Sequence, residues 1–120
     1  MIKAISLVSI PVRDQNQALE FYTKKLGFQI LTDQPFGLQR WIELLIPGAD
    51  TRIALFTPPG QESRIGTFSN IAFLTDSVEK TYEELRGRGV EFEAPPKKEP
   101  WGTSAVFRDP EGNSFAMSSR

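Results

Sequence analysis

The 120-residue sequence carries the same pair of helix signals twice, at a constant spacing. Asp14 and Asp76 are each followed three residues later by a glutamine or glutamate, a pattern typical of the first turn of a helix. Gly27 and Gly89 stand where those helices are expected to end, because glycine readily adopts the left-handed conformation that closes a helix. Both pairs are 62 positions apart. This agreement predicts an internal duplication with one helix in each half.

Alternating apolar residues predict strands on both sides of each helix. Val8, Ile10 and Val12 form an aliphatic strand face before the first helix, and Ile42 and Leu44 form another after it. The same order of elements follows in the second half. Clusters of proline and glycine predict a loop in the middle of each half. The predicted strands are 7–12, 28–31, 39–46, 52–57, 70–74, 90–93, 103–108 and 113–118, and these loops are 33–38 and 95–100.

The predicted fold class is therefore α+β, with two tandem βαβββ units in a single domain that covers residues 1–120. The units are 1–57 and 66–120, joined by a polar segment rich in proline and glycine. The helices are expected to cover the aliphatic strand faces, because those faces need burial. The opposite faces would then form a cup of curved mixed sheet, with the helices on its outer side.

Composition excludes several classes of function. The net charge is −1 and no long basic run is present, so nucleic acid is not an expected partner. Cysteine and histidine are both absent, which excludes disulfides and thiol catalysis and removes the commonest metal ligand. No apolar stretch is long enough for a signal peptide or a membrane span. We therefore expect a cytoplasmic protein with no membrane partner.

The strand faces opposite the helices predict the lining of the cup. Their side chains are mostly small or apolar, with aromatic walls and a few polar groups, which suits an organic ligand. Trp41 and Trp101 are the expected stacking surfaces, although Trp41 also fits a core position and Trp101 a contact between subunits. The predicted ligand-binding residues are Leu7, Ser9, Trp41, Glu43, Ala54, Phe56, Asn70, Ala72, Trp101 and Ala116, and Leu74, Ser114 and Ser118 are assigned to the same cup.

Four stretches of the sequence carry a resemblance to a known family. They are Ile10–Asp14, Ala18–Tyr22, Leu26–Phe28 and Phe107–Asn113. They resemble the vicinal oxygen chelate superfamily, which contains glyoxalase I, bleomycin-resistance proteins, fosfomycin-resistance proteins and extradiol dioxygenases. The resemblance covers essentially the whole chain. It implies the duplicated βαβββ fold and a homodimer.

The resemblance also locates the positions at which metal-dependent members of the family hold their ion. Carried over, these positions are Leu7, Ala54 or its neighbour, Asn70 and Ala116. Leucine and alanine cannot ligate a metal, and the amide oxygen of asparagine is a weak ligand. Glu43 and Asn70 together would make a poor site for a transition metal. We therefore expect no metal and no cofactor, and no metal-dependent glyoxalase, fosfomycin-resistance or dioxygenase activity.

Three functions remain open at this point. The first is a metal-independent small-molecule binding protein of the bleomycin-resistance type, with its ligand in the cup or in a cleft of the dimer. Arg40 or Arg52 could position an anionic group of that ligand, unless both are simply solvated. The alternative is a metal-independent lyase or isomerase with Glu43 as general acid or base in an apolar cup and Asn70 stabilising an oxyanion. The third is a partner-binding module with a residual cup.

Overall fold

The computed structural model describes residues 1–119, and the chain divides into two compact units. Unit 1 covers Met1–Ile65 and unit 2 covers Gly66–Arg120. Each unit contains one main helix and one four-stranded sheet of mixed parallel and antiparallel strands. The predicted α+β fold with two βαβββ units is confirmed. No helix within residues 1–119 is long and apolar enough to cross a membrane.

Unit 1 is built around a sheet whose strands lie in the order β1-β4-β3-β2. Strand β1 runs parallel to β4, and the other pairs are antiparallel. The helix α1 continues directly into a π-helical turn, and α1 contacts β4. The elements are β1 Leu7–Ile10, α1 Gln15–Glu20, the π-helical turn Phe21–Lys25, β2 Gln29–Phe36, β3 Gln39–Leu45, β4 Arg52–Leu55 and a short 3-10 helix Glu62–Arg64.

Unit 2 repeats this arrangement with the strand order β5-β8-β7-β6. Strand β5 runs parallel to β8, and the other pairs are antiparallel. The helix α2 contacts β6 and β7. The elements are β5 Phe68–Leu74, α2 Val78–Gly87, β6 Glu91–Glu99, β7 Gly102–Arg108 and β8 Ser114–Ser118.

The predicted start of the second helix is wrong by one residue. Asp14 caps α1 as predicted, because its carboxylate accepts a hydrogen bond from the backbone N–H of Gln17. In unit 2 the cap is Ser77 rather than Asp76, and the Ser77 hydroxyl accepts from the backbone N–H of Lys80. Either side chain type can cap a helix, so composition alone does not choose between neighbours.

A π-helical turn explains why the two helices differ in length. Gly27 and Gly89 both have positive φ angles, +80° and +88°, as predicted for the residues that end the helices. Asp14 and Gly27 are 13 positions apart, whereas Ser77 and Gly89 are 12 positions apart. A π-helical turn accommodates one additional residue, and only the first helix contains such a turn among the described residues.

The two loops predicted at residues 33–38 and 95–100 are largely strand. Strand β2 continues through Pro35 to Phe36, and β6 continues through Pro95 and Pro96 to Glu99. Both are outer strands of their sheets, where the missing N–H of proline can face away from the neighbouring strand. The pairing of β6 is irregular between Ala94 and Lys97, around its two prolines. Proline therefore marks the sheet edge here rather than the end of the strand.

The core of each unit lies on the helix-facing side of its sheet. The alternation predicted for β3 is confirmed, with Ile42 and Leu44 fully buried. In unit 1 the helix contributes Ala18, Phe21 and Tyr22 to this core. The buried core residues of unit 2 are Val78, Leu85, Val90, Ala105, Phe107, Phe115 and Met117.

Buried polar groups hold the turn between β7 and β8. The Asp109 carboxylate accepts hydrogen bonds from the backbone N–H groups of Glu111 and Asn113, at 2.9 and 3.0 Å, and from the Asn113 side-chain amide at 2.9 Å. The Asn113 side-chain oxygen in turn accepts from the backbone N–H of Gly66 at 2.8 Å. Gly112 has φ +86°, which favours glycine. The conspicuous Asp-Pro-Glu-Gly-Asn sequence is thus accounted for by the turn itself.

Candidate functional site

Three aromatic side chains form a cluster on the face of the unit 1 sheet opposite the core. These are Phe36 at the end of β2, Trp41 in β3 and Phe56 just after β4, and we call them the aromatic cluster. The Trp41 and Phe56 ring centroids are 5.1 Å apart, and Phe36 lies 6.0 Å from Trp41 and 5.6 Å from Phe56. These separations are typical of interacting aromatic rings. The sequence predicted Trp41 and Phe56 on one face, and the cluster adds Phe36.

The aromatic cluster borders an open pocket on unit 1. Gln34, Pro35, Phe36 and Trp41 line this pocket, whose volume is about 440 Å³. Phe36 is 59% exposed, whereas Phe56 is only 9% exposed. Phe36 therefore presents an apolar ring to solvent, supported by the other two rings. A concave surface of this size with aromatic walls is suited to a small organic ligand.

A polar network adjoins the aromatic cluster on the same face. The Trp41 indole N–H donates to one carboxylate oxygen of Glu43 at 2.7 Å, and the Arg52 guanidinium donates to the other at 2.9 Å. Arg52 also donates to the Ser6 hydroxyl at 2.6 Å. The Glu43 side chain is 13% exposed and that of Arg52 is 38% exposed. Trp41 thus links the aromatic cluster to an ion pair.

The surroundings of Glu43 differ from those expected for a general base. The sequence predicted Glu43 in an apolar cup, but its carboxylate lies between an arginine and an indole N–H. The reason is strand register, since Glu43 pairs with Ala54 and Arg52 lies two residues before Ala54 on the same face. This diagonal placement brings opposite charges together. Both oxygens already accept a hydrogen bond from a donor of the protein.

Side-chain amides fix the backbone on either side of the aromatic cluster. Gln39 accepts from the backbone N–H of Thr57 and donates to its carbonyl, at 3.0 and 2.8 Å. Gln15 does the same for Arg40, at 2.9 and 2.7 Å, and donates to the Leu55 carbonyl as well. These side-chain hydrogen bonds take the place of backbone hydrogen bonds between strands at the end of the sheet, next to Trp41 and Phe56. Sequence reasoning missed Gln39 and Thr57 near strand ends and Gln15 at the start of α1, because polar residues at such positions are ordinarily solvated.

The second arginine considered from sequence, Arg40, is also engaged in an ion pair. Its guanidinium donates two hydrogen bonds to the Asp33 carboxylate, at 3.0 and 2.9 Å, and one to Asn16. The hydrogen bonds from Arg40 hold the pKa of Asp33 below its ordinary value of 3.8. The same bonds raise the pKa of Arg40. Asn16 belongs to α1, so this pair lies on the helix-facing side of the sheet, away from the aromatic cluster.

The remaining predicted site residues divide between the two sheets. Ser9 pairs with Ala54 in unit 1, and Leu7 pairs with Arg52. In unit 2, Ala72 pairs with Ala116. Leu7, Ser9, Ala54, Ala72 and Ala116 have neither an aromatic nor a charged side chain. They can shape a surface, but they cannot orient a ligand by hydrogen bonds from their side chains, Ser9 excepted.

Two other predicted residues occupy special positions in unit 2. Asn70 is exposed and has φ +62°, within an irregular stretch of the β5–β8 pairing between Phe68 and Ala72. Asparagine tolerates this left-handed conformation better than most residues. Trp101 is 54% exposed in the turn between β6 and β7. Simple strand alternation predicts neither conformation. The ligand-binding roles assigned to these residues stay predictions.

The positions that the family resemblance assigned to metal ligands do not fit a metal. Leu7, Ala54 and Ala116 have no donor atom in their side chains. The residue that pairs with Ala116 in the sheet is Ala72, not Asn70. Among residues 1–119, no group of three or more acidic residues, histidines or cysteines stands close enough to hold an ion.

A second open pocket lies on unit 2 beside α2, with a volume of about 480 Å³. Tyr82 and Phe92 meet edge to face in it, at 4.7 Å between ring centroids, and the Arg86 guanidinium lies 5.2 Å from the Tyr82 ring. Arg108 and Glu93 form an exposed ion pair at its border. Four of the residues that line this pocket are charged, whereas none of those lining the pocket beside the aromatic cluster is.

Comparison with known proteins places the chain in a family. The family model for the Glyoxalase/Bleomycin resistance protein/Dioxygenase superfamily matches residues 4–117. The uncharacterized protein YetH of Bacillus subtilis (strain 168) is 36% identical over 118 residues, covering 98% of both chains.

Two solved structures are similar over nearly their whole length. A member of the same superfamily from Sphaerobacter thermophilus DSM 20745 is 35% identical, with a TM-score of 0.88 and coverage of 98% of this chain and 97% of that chain. TnmS3 from Streptomyces sp. CB03234, described as an antibiotic binding protein, is 36% identical, with a TM-score of 0.86 and coverage of 98% and 95%. With the duplicated fold and the family model in agreement, the chain belongs to the glyoxalase/bleomycin resistance protein/dioxygenase superfamily.

Proposed function

We propose that this protein is a metal-independent small-molecule binding protein that holds a planar aromatic ligand against the aromatic cluster of unit 1. The observation that carries the proposal is the exposed ring of Phe36, packed on Trp41 and Phe56 beside a pocket of about 440 Å³. Burying exposed aromatic surface under a flat ligand contributes roughly 25 cal/mol per Å² of apolar area. Stacking geometry adds to that contribution.

The similarity to TnmS3 supports the same proposal. That protein is described as an antibiotic binding protein, and the two chains are 36% identical. We extend ligand binding of this type to the present chain, without extending the identity of the ligand. Among the residues predicted from sequence, Trp41, Phe56 and Glu43 are the ones that we propose to contact it, with Phe36 as an addition.

A panel of planar aromatic antibiotics and dyes, titrated calorimetrically against the protein, tests the proposal. Trp41→Ala should weaken any binding that is found, because the central ring of the cluster is lost. Ser104→Ala is the matched control, since Ser104 holds the equivalent place in the sheet of unit 2. If no compound binds at high micromolar concentrations, or if Trp41→Ala binds as well as wild type, the proposal is wrong.

The enzymatic alternative assigns Glu43 as general base of a lyase or isomerase. Its support is weaker, because hydrogen bonds from Trp41 and Arg52 already occupy both oxygens of the Glu43 carboxylate. Glu43→Gln separates the two functions. Turnover of an identified substrate should collapse in this variant if the alternative is right, whereas ligand binding should largely survive.

We also propose a homodimer in the cytoplasm, formed by a chain whose two units make a single domain. Each four-stranded sheet has two outer strands, and an outer strand is a natural surface for pairing. Sedimentation equilibrium at micromolar concentration should give twice the chain mass of 13.5 kDa. A mass of one chain would contradict the dimer. Two separate unfolding transitions in calorimetry would contradict the single domain. Recovery of the protein in a membrane or secreted fraction would contradict the cytoplasmic location.

A further inference from the structure

The ion pair beside the aromatic cluster bears on which ligands the site accepts. Glu43 and Arg52 are joined at 2.9 Å, and Trp41 connects them to the rings through its indole N–H. The Glu43 side chain is 13% exposed, so most of its surface is already removed from solvent. A ligand lying on Trp41 therefore meets a carboxylate whose charge is compensated within the protein.

Other charged residues of the unit 1 sheet do not change the charge compensation between Glu43 and Arg52. Arg40 and Asp33 pair with each other and with Asn16 of α1, on the opposite side of the sheet. Among the described strand residues on the side of the aromatic cluster, Glu43 and Arg52 are the charged ones, and the others are Leu7, Ser9, Gln29, Thr32, Gln34, Phe36, Gln39, Trp41, Leu45 and Ala54. The face therefore carries one positive and one negative group, in contact.

We propose that the Glu43–Arg52 ion pair makes this site selective for uncharged planar aromatic ligands over cations and anions with the same ring system. The inference rests on the proposed function, and it names the ligand class. A cationic ligand would have to displace Arg52 from Glu43 to gain a charge partner, and an anionic ligand would have to displace Glu43 from Arg52. Either ion would also lose hydration on the aromatic surface. An uncharged ring pays neither cost.

Three anthracene derivatives with one ring system and different charge test the inference. They are 9-anthracenemethanol, which is neutral, 9-(aminomethyl)anthracene, a cation, and 9-anthroate, an anion, all measured at pH 7.5 by anthracene fluorescence anisotropy. Wild-type protein should bind the alcohol about tenfold more tightly than either ion. Arg52→Met leaves Glu43 without its cation and should shift the preference about tenfold towards the amine. Glu43→Gln should shift it in the opposite direction, towards the anthroate.

Two further variants separate charge from damage to the fold. Arg52→Lys keeps the positive charge and should keep the preference for the alcohol. The double variant Glu43→Gln/Arg52→Met is neutral at both positions and should return to the order of the wild type, which a misfolded site would not do. Shifts that shrink at high salt would support an electrostatic origin.

The outcomes also distinguish this inference from the function on which it rests. If all three probes bind but the single variants leave their order unchanged, the charge selection is wrong and the binding function stands. If the wild type prefers an ion, the inference is likewise overturned. If no probe binds to wild-type protein, the stacking function fails and the inference fails with it.

Discussion

The two units of this protein share one fold but differ on the sheet face opposite the core. On the helix-facing side both sheets bury apolar residues, with Ile42 and Leu44 in unit 1 and Ala105 and Phe107 in unit 2. On the other side, matching rows across the two sheets have different chemistry. The row in unit 1 is Ser9, Ala54, Glu43 and Thr32, and the row in unit 2 is Ala72, Ala116, Val106 and Ala94.

The difference extends to the neighbouring positions, where unit 1 has aromatic rings and unit 2 has hydroxyls. Trp41 lies two residues before Glu43, and Ser104 lies two residues before Val106 in the matching strand. Phe56 corresponds in the same way to Ser118. The need for burial keeps one face apolar in both units, whereas the opposite face is free to diverge. This divergence supports the proposal that unit 1 carries the ligand-binding site.

The largest expected loss of stability concerns the β7–β8 turn of unit 2, compared with the corresponding β3–β4 turn of unit 1. Asp109→Ala removes a buried carboxylate that accepts three hydrogen bonds, and should lower the free energy of unfolding by about 3 kcal/mol because buried donors lose their partner. Asp50→Ala is the control, since Asp50 is exposed in the matching β3–β4 turn of unit 1 and should cost less than about 0.5 kcal/mol. Urea denaturation measures both values, and equal losses would contradict the contrast.

The next effect concerns binding and sharpens the contrast between the two faces. Trp41→Ala should weaken binding of 9-anthracenemethanol by about 30-fold, or roughly 2 kcal/mol, as expected for a central aromatic contact. Ser104→Ala, at the matching position of unit 2, should change the affinity by less than about twofold. A comparable loss in both variants, measured by anisotropy titration, would mean that unit 1 is not the distinctive ligand surface.

Removing the N-cap side chain of either helix should cause a smaller loss of stability, of similar size in the two units. Asp14→Ala and Ser77→Ala should each lower the free energy of unfolding by about 1 kcal/mol, because each leaves the cap hydrogen bond unmade. Asp76→Ala should fall within about 0.5 kcal/mol of wild type. Urea denaturation of the three variants tests which residue caps α2. A larger loss of unfolding free energy for Asp76→Ala than for Ser77→Ala would mean that Asp76 is the cap.

The smallest expected effect concerns the Asp33–Arg40 ion pair and depends on pH. The pKa of Asp33 is lowered in the folded protein, so the pair stabilises the fold above the ordinary value of 3.8, and this stabilisation is lost as pH falls through the lowered pKa. Asp33→Asn should therefore cost about 0.5 kcal/mol at pH 7. The difference from wild type should vanish in acid of roughly pH 2. A difference that grows on acidification would contradict the assigned shift.

Sequence reasoning predicted the parts of the fold that follow from local chemistry. Apolar alternation located the core positions of β3, and Gly27 and Gly89 marked both helix ends. The errors arose where a residue's neighbours decide its structure. Pro35 and Pro95 suggested loops, because only the completed sheet identifies their strands as edges.

The candidate site was predictable in part for the same reason. Strand alternation brought Trp41 and Glu43 to one face, as their hydrogen bond confirms. Phe36 was missed because it fell in a predicted loop, and the contact of Arg52 with Glu43 was missed because it depends on the register of β3 and β4. Alternation assigns a residue to a face, but register decides which residues on that face meet.

A crystal structure of the protein with bound 9-anthracenemethanol would show directly whether an aromatic ligand lies on the aromatic cluster of unit 1. We expect the anthracene ring to contact Phe36 and Trp41, with the Glu43–Arg52 ion pair intact beside it. A ring bound instead in the charged pocket beside α2, against Tyr82 and Phe92, or at Trp101, would contradict the assignment of the ligand site to unit 1.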